Sequence, residues 1–481
     1  MDDVIAAIEP ELRRSVVAYL EKKRLPGAAV GIVRDGALAW SFGAGLADRS
    51  TGRVPDADTL FRIASITKTF TATAVLQLRD DGRLRLDDPY VRHVPEFAAA
   101  TNPFGPIEDV TIRRLLTHTS GLQGEPPNRD PRDYTMYLPH DLVAAFDEVR
   151  VVIPPESQTK YCNLGFEMLG VLVERLSGRT YREVVAERIT GPLGMASTVW
   201  DATPAAAPDL AARRAVGYDP REFDDTSRLA NDPDSALYEA DGGLWSTVSD
   251  LARWLVALTR GSDDDRAGVD GRILDGATVR EMQRPWIAWS DEPWTLAQGL
   301  GWYTVRHDDI DWTGHAGAVE GFGSKAQISV SDGLGVIVLL NTMGDAGSLA
   351  HELGKLAMPA HRDAVAAARS VAAPPSVPES WRDLVGSYQW PPYGPGIRVE
   401  IRGADLVHFD EGEEEKPYRL APTDDPLVFI VQGGRQAGEP ARFVCDAEGR
   451  VDAVNLGGYP MIRLRLAWTP PSTTAGGDAT A

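Results

Sequence analysis

Ser65-Ile66-Thr67-Lys68 sets a hydroxyl and an amine three residues apart. On a helix, positions three apart share a face, so the spacing puts Lys68 beside the Ser65 oxygen. A serine oxygen becomes a useful nucleophile only when a neighbouring base takes its proton. A lysine is that base only when neutral, and burial and the positive end of a helix both lower a lysine pKa. The first turn of a buried helix offers both. Leu60–Ala64, an apolar stretch running into a helical pattern over Thr69–Leu78, predicts such a turn. The spacing recurs at Ser157-Gln158-Thr159-Lys160, but that copy follows Pro154-Pro155 and leads into a loop.

Two further stretches carry suitable groups. Tyr161-Cys162-Asn163 precedes a helical pattern of Phe166, Leu169, Leu172, Val173 and Leu176, closed by Gly178. A tyrosine near a lysine can relay a proton to a leaving group. An asparagine two residues on can hydrogen-bond both the lysine and a substrate carbonyl, because its amide donates and accepts. Gly314-His315-Ala316-Gly317-Ala318 lies just before a strand pattern at Gly323. Glycines there let backbone approach a substrate closely. The Ala318 N–H, with that of Ser65, would then form an oxyanion hole, in which one donor lowers the barrier by about 3–4 kcal/mol. His315 would sit at the mouth, orienting Tyr161 or binding a substrate group.

These stretches need a scaffold that unites them. An amphipathic helix is predicted around Ile5, Ile8, Leu12, Val16 and Leu20. Ala28–Val33 and Ala37–Phe42 read as strands joined at Arg34-Asp35-Gly36. Residues 90–200 read as mostly helical, broken by loops; the polar one at Gln123–Arg132 is placed to flank a site. A helix is expected over Ser249–Leu258 and another over Ser348–Ser370. Gly299–Val305, Gly323–Val330 and Leu334–Leu340 read as consecutive antiparallel strands. Strands at both ends with helices between them require the early hairpin to join the late strands. The expected fold is α+β, an antiparallel sheet flanked by helices, over residues 1–370.

Ala373-Pro374-Pro375-Ser376-Val377-Pro378 reads as a linker. Beyond it, seven short strand candidates between Leu384 and Leu456 suggest a small all-β barrel or sandwich over 379–468. Asp410–Glu415 is an acidic run of solvated-loop type. The small polar residues of 469–481 read as a disordered tail.

Composition excludes several classes. The chain has 481 residues and a formal charge of -21. Phosphate binding needs clustered Lys and Arg, so neither nucleic acid nor an anionic membrane is an expected partner. Cys162 and Cys445 form no disulfide framework, the 8 histidines are scattered, and no metal or other cofactor is expected. Met1-Asp2-Asp3-Val4 lacks the basic start and apolar core of a signal peptide, and no apolar run reaches membrane-spanning length. The expectation is a cytoplasmic protein.

The three stretches occur in the order and context of the penicillin-recognising serine enzymes. The chain resembles class C β-lactamases, D-alanyl-D-alanine carboxypeptidases, D-aminopeptidases and related esterases. Phe61–Ala64, Leu116–Leu122, Gly191–Met195 and Asp241–Thr247 support the resemblance, which runs from about residue 10 to 365. It implies that Ser65 is acylated, that Lys68 is its general base, and that Tyr161 handles the leaving group and the incoming water. It implies positioning roles for Asn163, His315 and Gly317, and an oxyanion hole at Ser65 and Ala318. His118 and Ser120 match a structural stretch and are assigned no chemistry. β-Lactamases of this type carry Lys-Thr-Gly where this chain has His315-Ala316-Gly317, so efficient β-lactam hydrolysis is not implied. The C-terminal part resembles a lipocalin-like barrel, through Leu384–Tyr388 and Gly457-Gly458-Tyr459.

The expected function is acyl transfer through an acyl-Ser65 intermediate, hydrolysing an ester or amide as an esterase or D-peptidase does. The substrate would be a small-molecule or peptide acyl compound. One variant is a stand-alone thioesterase that cyclises a carrier-protein-bound peptidyl thioester. A rival of another class is a catalytically silent, peptide-binding relative.

Overall fold

Apolar residues occupy nearly every position of Gly27–Arg34, as expected of a strand covered on both faces. In the computed structural model this strand lies inside an eight-stranded sheet. The described residues are 3–127, 139–219, 228–229, 239–259, 273–289, 294–371, 377–391, 394–411 and 416–464. They divide between two compact units, Met1–Val365 and Ala366–Ala481. The tail at 469–481, most of the linker at 373–378, most of the acidic run at 410–415 and the end of the loop at 123–132 lie outside the described residues.

In the first unit the strands of this sheet are β1 (Gly27–Arg34), β2 (Ala37–Gly45), β3 (Ile287–Ala288), β4 (Leu296–Gln298), β5 (Tyr303–His307), β6 (Ile310–Val319), β7 (Phe322–Ser329) and β8 (Leu334–Leu340). Their order is β2-β1-β8-β7-β6-β5-β4-β3. The early hairpin does join the late strands: β1 pairs antiparallel with β8, from Ala28 opposite Leu340 to Arg34 opposite Leu334.

Side-chain alternation sorts the core into two layers. Ala29, Val33, Ala326, Ile328, Ile337 and Leu339 face one way. They meet helices α2 (Thr67–Asp80), α3 (Asn163–Ser177) and α4 (Val248–Ala257). Ala28, Val30, Ile32, Val336 and Val338 face the other way, toward α1 (Asp3–Lys23) and α5 (Ala346–Val371). The helical expectation for residues 90–200 is only partly met. α3 is the one long helix there among the described residues, and the rest is turns and single-turn pieces, because Pro, Gly and Asn interrupt every other apolar run.

Three strands of this sheet, β3, β4 and β6, were not foreseen, and β6 bears on the site. Gly314–Ala318 was read as a glycine loop before a strand, yet it lies inside the ten-residue β6, paired with β7 throughout Thr313–Val319. The glycines are there for close approach, not for a turn. A Cβ at Gly314 would meet the Ala326 carbonyl oxygen at 2.2 Å, and one at Gly317 would meet the Ile63 carbonyl oxygen at 2.2 Å. β6 pairs with β5 only as far as Gly314, so its end at His315–Val319 extends past that neighbour.

The second unit is a closed antiparallel barrel of eight strands. These are β9 (Gly386–Gln389), β10 (Gly396–Arg402), β11 (Asp405–Asp410), β12 (Tyr418–Pro422), β13 (Val428–Gln432), β14 (Pro440–Cys445), β15 (Val451–Leu456) and β16 (Tyr459–Arg463). The unforeseen eighth strand, β16, closes the ring, with Tyr388 opposite Arg463. Closure removes both open edges. Tyr388, Val399, Leu406, Leu420, Phe429 and Val431 fill its core.

Gly317 joins sheet and helices at the tightest point. In a Gly317→Ala protein the added methyl must push β6 from the turn that carries Ser65. We expect a loss of about 1–3 kcal/mol of stability, as for other overpacked sites, and slower labelling of Ser65 by a fluorophosphonate. Unchanged denaturation and labelling would mean that β6 and the turn do not pack as described.

Candidate active site

Ser65 sits in a single 3-10 turn, Ala64–Ile66, that leads into α2. The turn is tied from both sides. The Ile63 N–H donates to the Leu244 carbonyl at 3.0 Å, and the Leu244 N–H donates to the Thr67 hydroxyl at 3.3 Å. From β7, the Ser324 hydroxyl donates to the Ile63 carbonyl at 2.8 Å. Ala64 holds a positive φ of 45°, a conformation that costs a non-glycine residue about 1–3 kcal/mol and persists where surroundings enforce it. Here both neighbours enforce it, and Ser65 is left half-buried at the cavity wall.

Lys68 lies one turn on, fully buried. Its ammonium donates to Ser65 Oγ at 3.1 Å and to the Asp241 backbone carbonyl at 2.8 Å. Asp241 Oδ2 is 3.4 Å away, and Asp241 is buried too. The expected downward pKa shift is not what this environment gives. Burial pushes the Lys68 ammonium down, but its interactions with Tyr161 and then Asp241 outweigh this and hold it above the ordinary lysine value. Burial also raises Tyr161 above the ordinary phenol value, against the pull of Lys68 and Ser65. At neutral pH the phenol is therefore uncharged, and Asp241 is the buried acid that faces the Lys68 ammonium.

Tyr161 completes the meeting of three distant stretches, lining the cavity with Ser65 and standing beside Lys68. The Lys68 ammonium lies 5.1 Å from its ring centre. His118 holds the ring from behind, at 4.4 Å between centroids. His118 Nδ1 accepts the Cys162 N–H at 3.1 Å, which fixes the backbone next to Tyr161. Burial, Lys68 and His315 drive His118 well below the ordinary histidine value, so it is neutral. Burial with Lys68 also takes His315 down to about 3. His315 Nε2 is buried without a partner and His315 lines the cavity.

Asn163 departs from expectation. Its amide donates to Glu125 Oε1 at 2.7 Å and makes no bond to Lys68; its Oδ1 is unpartnered, and the residue lines the cavity. The cap of α3 is Cys162, whose Sγ accepts the Gly165 N–H at 3.2 Å. Gly317 and Ala318 line the same cavity as Ser65, Tyr161 and His315, a space of about 680 Å³. The decoy Ser157–Lys160 makes no comparable cluster: the Ser157 hydroxyl donates to the Pro154 carbonyl.

Sequence reasoning missed the acids. Glu167 is 1% exposed on the buried face of α3, and its Oε1 accepts the Ala240 and Asp241 N–H groups at 3.0 Å each. Burial and the neighbouring Asp241 carboxylate raise its carboxyl well above the ordinary range. Glu167 Oε2 and Asp241 Oδ1 are both buried without a partner; one proton shared between the two carboxyls satisfies both. The available signal was an acid inside the apolar run Phe166–Val173.

The beta-lactamase family model matches residues 12–357. Penicillin-binding protein 4 of Amycolatopsis lactamdurans is 29% identical over 340 residues, 68% of this chain and 83% of that protein. A D-stereospecific amidohydrolase from Streptomyces sp. is 27% identical, with a TM-score of 0.58 over 70% of this chain and 96% of its own. The octameric penicillin-binding protein homologue from Pyrococcus abyssi, 22% identical, shares the fold over 94% of this chain and 99% of its own, with a TM-score of 0.61. With the match spanning most of the chain, the protein belongs to the beta-lactamase family and is a serine hydrolase.

Proposed function

We propose that the protein forms an acyl-enzyme on Ser65 and hydrolyses an ester or an amide of the D-peptide type. The observation that carries this reading is the 3.1 Å contact between Lys68 Nζ and Ser65 Oγ at a cavity wall shared with Tyr161. The similarity to a D-stereospecific amidohydrolase supports the amide side of the choice.

In this reading Ser65 Oγ attacks the substrate carbonyl while its proton passes to Lys68. The negative charge that builds on the carbonyl oxygen is taken by the N–H groups of Ser65 and Ala318. Tyr161 protonates the leaving group, and later takes a proton from the water that attacks the acyl-enzyme. Lys68 can accept a proton only after losing its resting one. The free amine is therefore the reactive form, and Asp241 Oδ2, 3.4 Å away, opposes its formation. His118 holds Tyr161 in place and stays neutral.

The second reading is cyclisation of a carrier-bound peptidyl thioester. The cavity's size favours it, since it exceeds what a small acyl group needs and leaves room for an amine nucleophile. A peptidyl N-acetylcysteamine thioester with a D-residue at its C-terminus separates the two: linear acid as sole product removes this reading.

Ser65→Ala is expected to abolish both fluorophosphonate labelling and turnover of p-nitrophenyl butyrate. Labelling equal to wild type would overturn the assignment. Lys68→Ala and Tyr161→Phe are expected to lower kcat by about 10²–10⁴-fold with little change in KM, since both act in proton transfer.

The charge on Lys68 also fixes a pH dependence. The active form is the free amine, so kcat/KM rises with pH as the ammonium titrates. Tyr161 and then the Asp241 charge stabilise the ammonium and displace this rise to higher pH. Asp241→Asn removes that charge, and the rise should move down by about 1–3 pH units. Glu167→Gln, which alters a carboxyl that is already neutral, should leave it nearly in place. An upward move for Asp241→Asn would refute the assigned pairing.

A further inference from the structure

The cavity beside Ser65 contains a second lysine that the reaction above does not use. Lys325 on β7 is 4% exposed and lines this cavity. Its ammonium donates to the Tyr303 hydroxyl at 3.2 Å and lies 4.5 Å from that ring's centre. A phenol is a neutral partner. Lys325 forms no ion pair with any acid among the described residues. Buried charges are ordinarily paired, so this ammonium, with three N–H groups and one hydrogen-bond partner, lacks a counter-ion among the described residues.

Its position is set by register. Lys325 stands opposite Ala316 on β6, and Ala326 opposite His315. Ala326 belongs to the core layer on the Ser65 side, so Lys325 and Ala316 project from the other face. The small Ala316 leaves room for the lysine to reach Tyr303. The cavity includes groups from both faces, and it does so where β6 runs past the end of its pairing with β5. On the far side it is lined by Tyr303, His307, Lys325, Gln327 and His351, and His351 Nδ1 is buried without a partner. His307 and His351 face each other at 4.2 Å, and burial with that neighbour holds His307 below the ordinary histidine value. Asp345 is the only carboxylate in the lining among the described residues. It is already engaged, accepting the Ser348 N–H at 2.9 Å and the Ser348 hydroxyl.

We propose that Lys325 and Tyr303 form an anion subsite that selects acyl substrates bearing a carboxylate away from the scissile carbonyl. A single ammonium with an adjacent phenol hydroxyl offers two donors to two carboxylate oxygens. A phosphate dianion would call for more cationic donors than this wall provides. The inference rests on the reading of Ser65 as the acylated residue and adds the substrate class.

The test compares pairs of p-nitrophenyl esters. One set carries a terminal carboxylate on the acyl chain, a second carries it on the aryl leaving group, and each has a carboxamide counterpart. Wild type is expected to favour the carboxylate member of at least one set by about ten- to a hundred-fold in kcat/KM. In Lys325→Met that ratio should fall to near one, while turnover of neutral p-nitrophenyl butyrate stays close to wild type. Tyr303→Phe, which keeps the charge, should lose only part of the preference. A wild-type ratio near one in both sets overturns the subsite without any variant, and leaves Ser65 untouched. A preference that persists undiminished in Lys325→Met also overturns it. If Ser65→Ala hydrolyses every ester as well as wild type, the reading of Ser65 falls, and this one with it.

Discussion

A fully buried ammonium must be compensated, and this site is organised around compensating Lys68. Its neighbours come from three separate parts of the chain: Ser65 from the same turn, Tyr161 from the entry to α3, and Asp241 from the stretch before α4. Asp241 supplies both a carboxylate and a backbone carbonyl. The stretch that presents it is itself fixed, because Glu167 on α3 takes the N–H groups of Ala240 and Asp241. Pairing of this kind, once both charges are buried, is expensive to break. The Ser65 hydroxyl is therefore set by the same interactions that hold α2 and α3 together.

The sheet brings the second wall of the cavity up to this cluster. β6 approaches the Ser65 turn closely enough that Gly317 has no room for a side chain. Ser324, one strand over, ties the turn to the sheet through the Ile63 carbonyl. His118 anchors Tyr161 through its ring and through the Cys162 N–H. The order of the sheet explains why such distant sequence converges. β1 and β2 come from the start of the unit and β3–β8 from its end, so the intervening helices pack across one face, with the Ser65 turn before α2 set against β6.

The C-terminal barrel follows a different logic. It closes on itself through β9 and β16 and carries its own core. The family match ends at residue 357, before it begins. A fold of this sort hosts many functions, and no substrate role follows from its closure.

Much of this was legible in the residues themselves. The Ser65–Lys68 spacing, the tyrosine at 161, the early hairpin and the late strands all carry local signals: helical period, strand alternation and turn residues. Each acts over a few residues, and so can be read from a few residues. The strand β6 was hidden because its glycines imitate a loop; only the neighbouring carbonyls at 2.2 Å explain them. The protonation of Lys68 was misjudged for a related reason. Burial and helix position are local and were counted, whereas the opposing carboxylate lies 173 residues away. The sequence by itself determined which groups are available and which short elements carry them. Tertiary structure alone decided the charge on the lysine, the partner of Asn163 and the company of Lys325, because electrostatic and packing energies depend on distances between residues far apart along the chain.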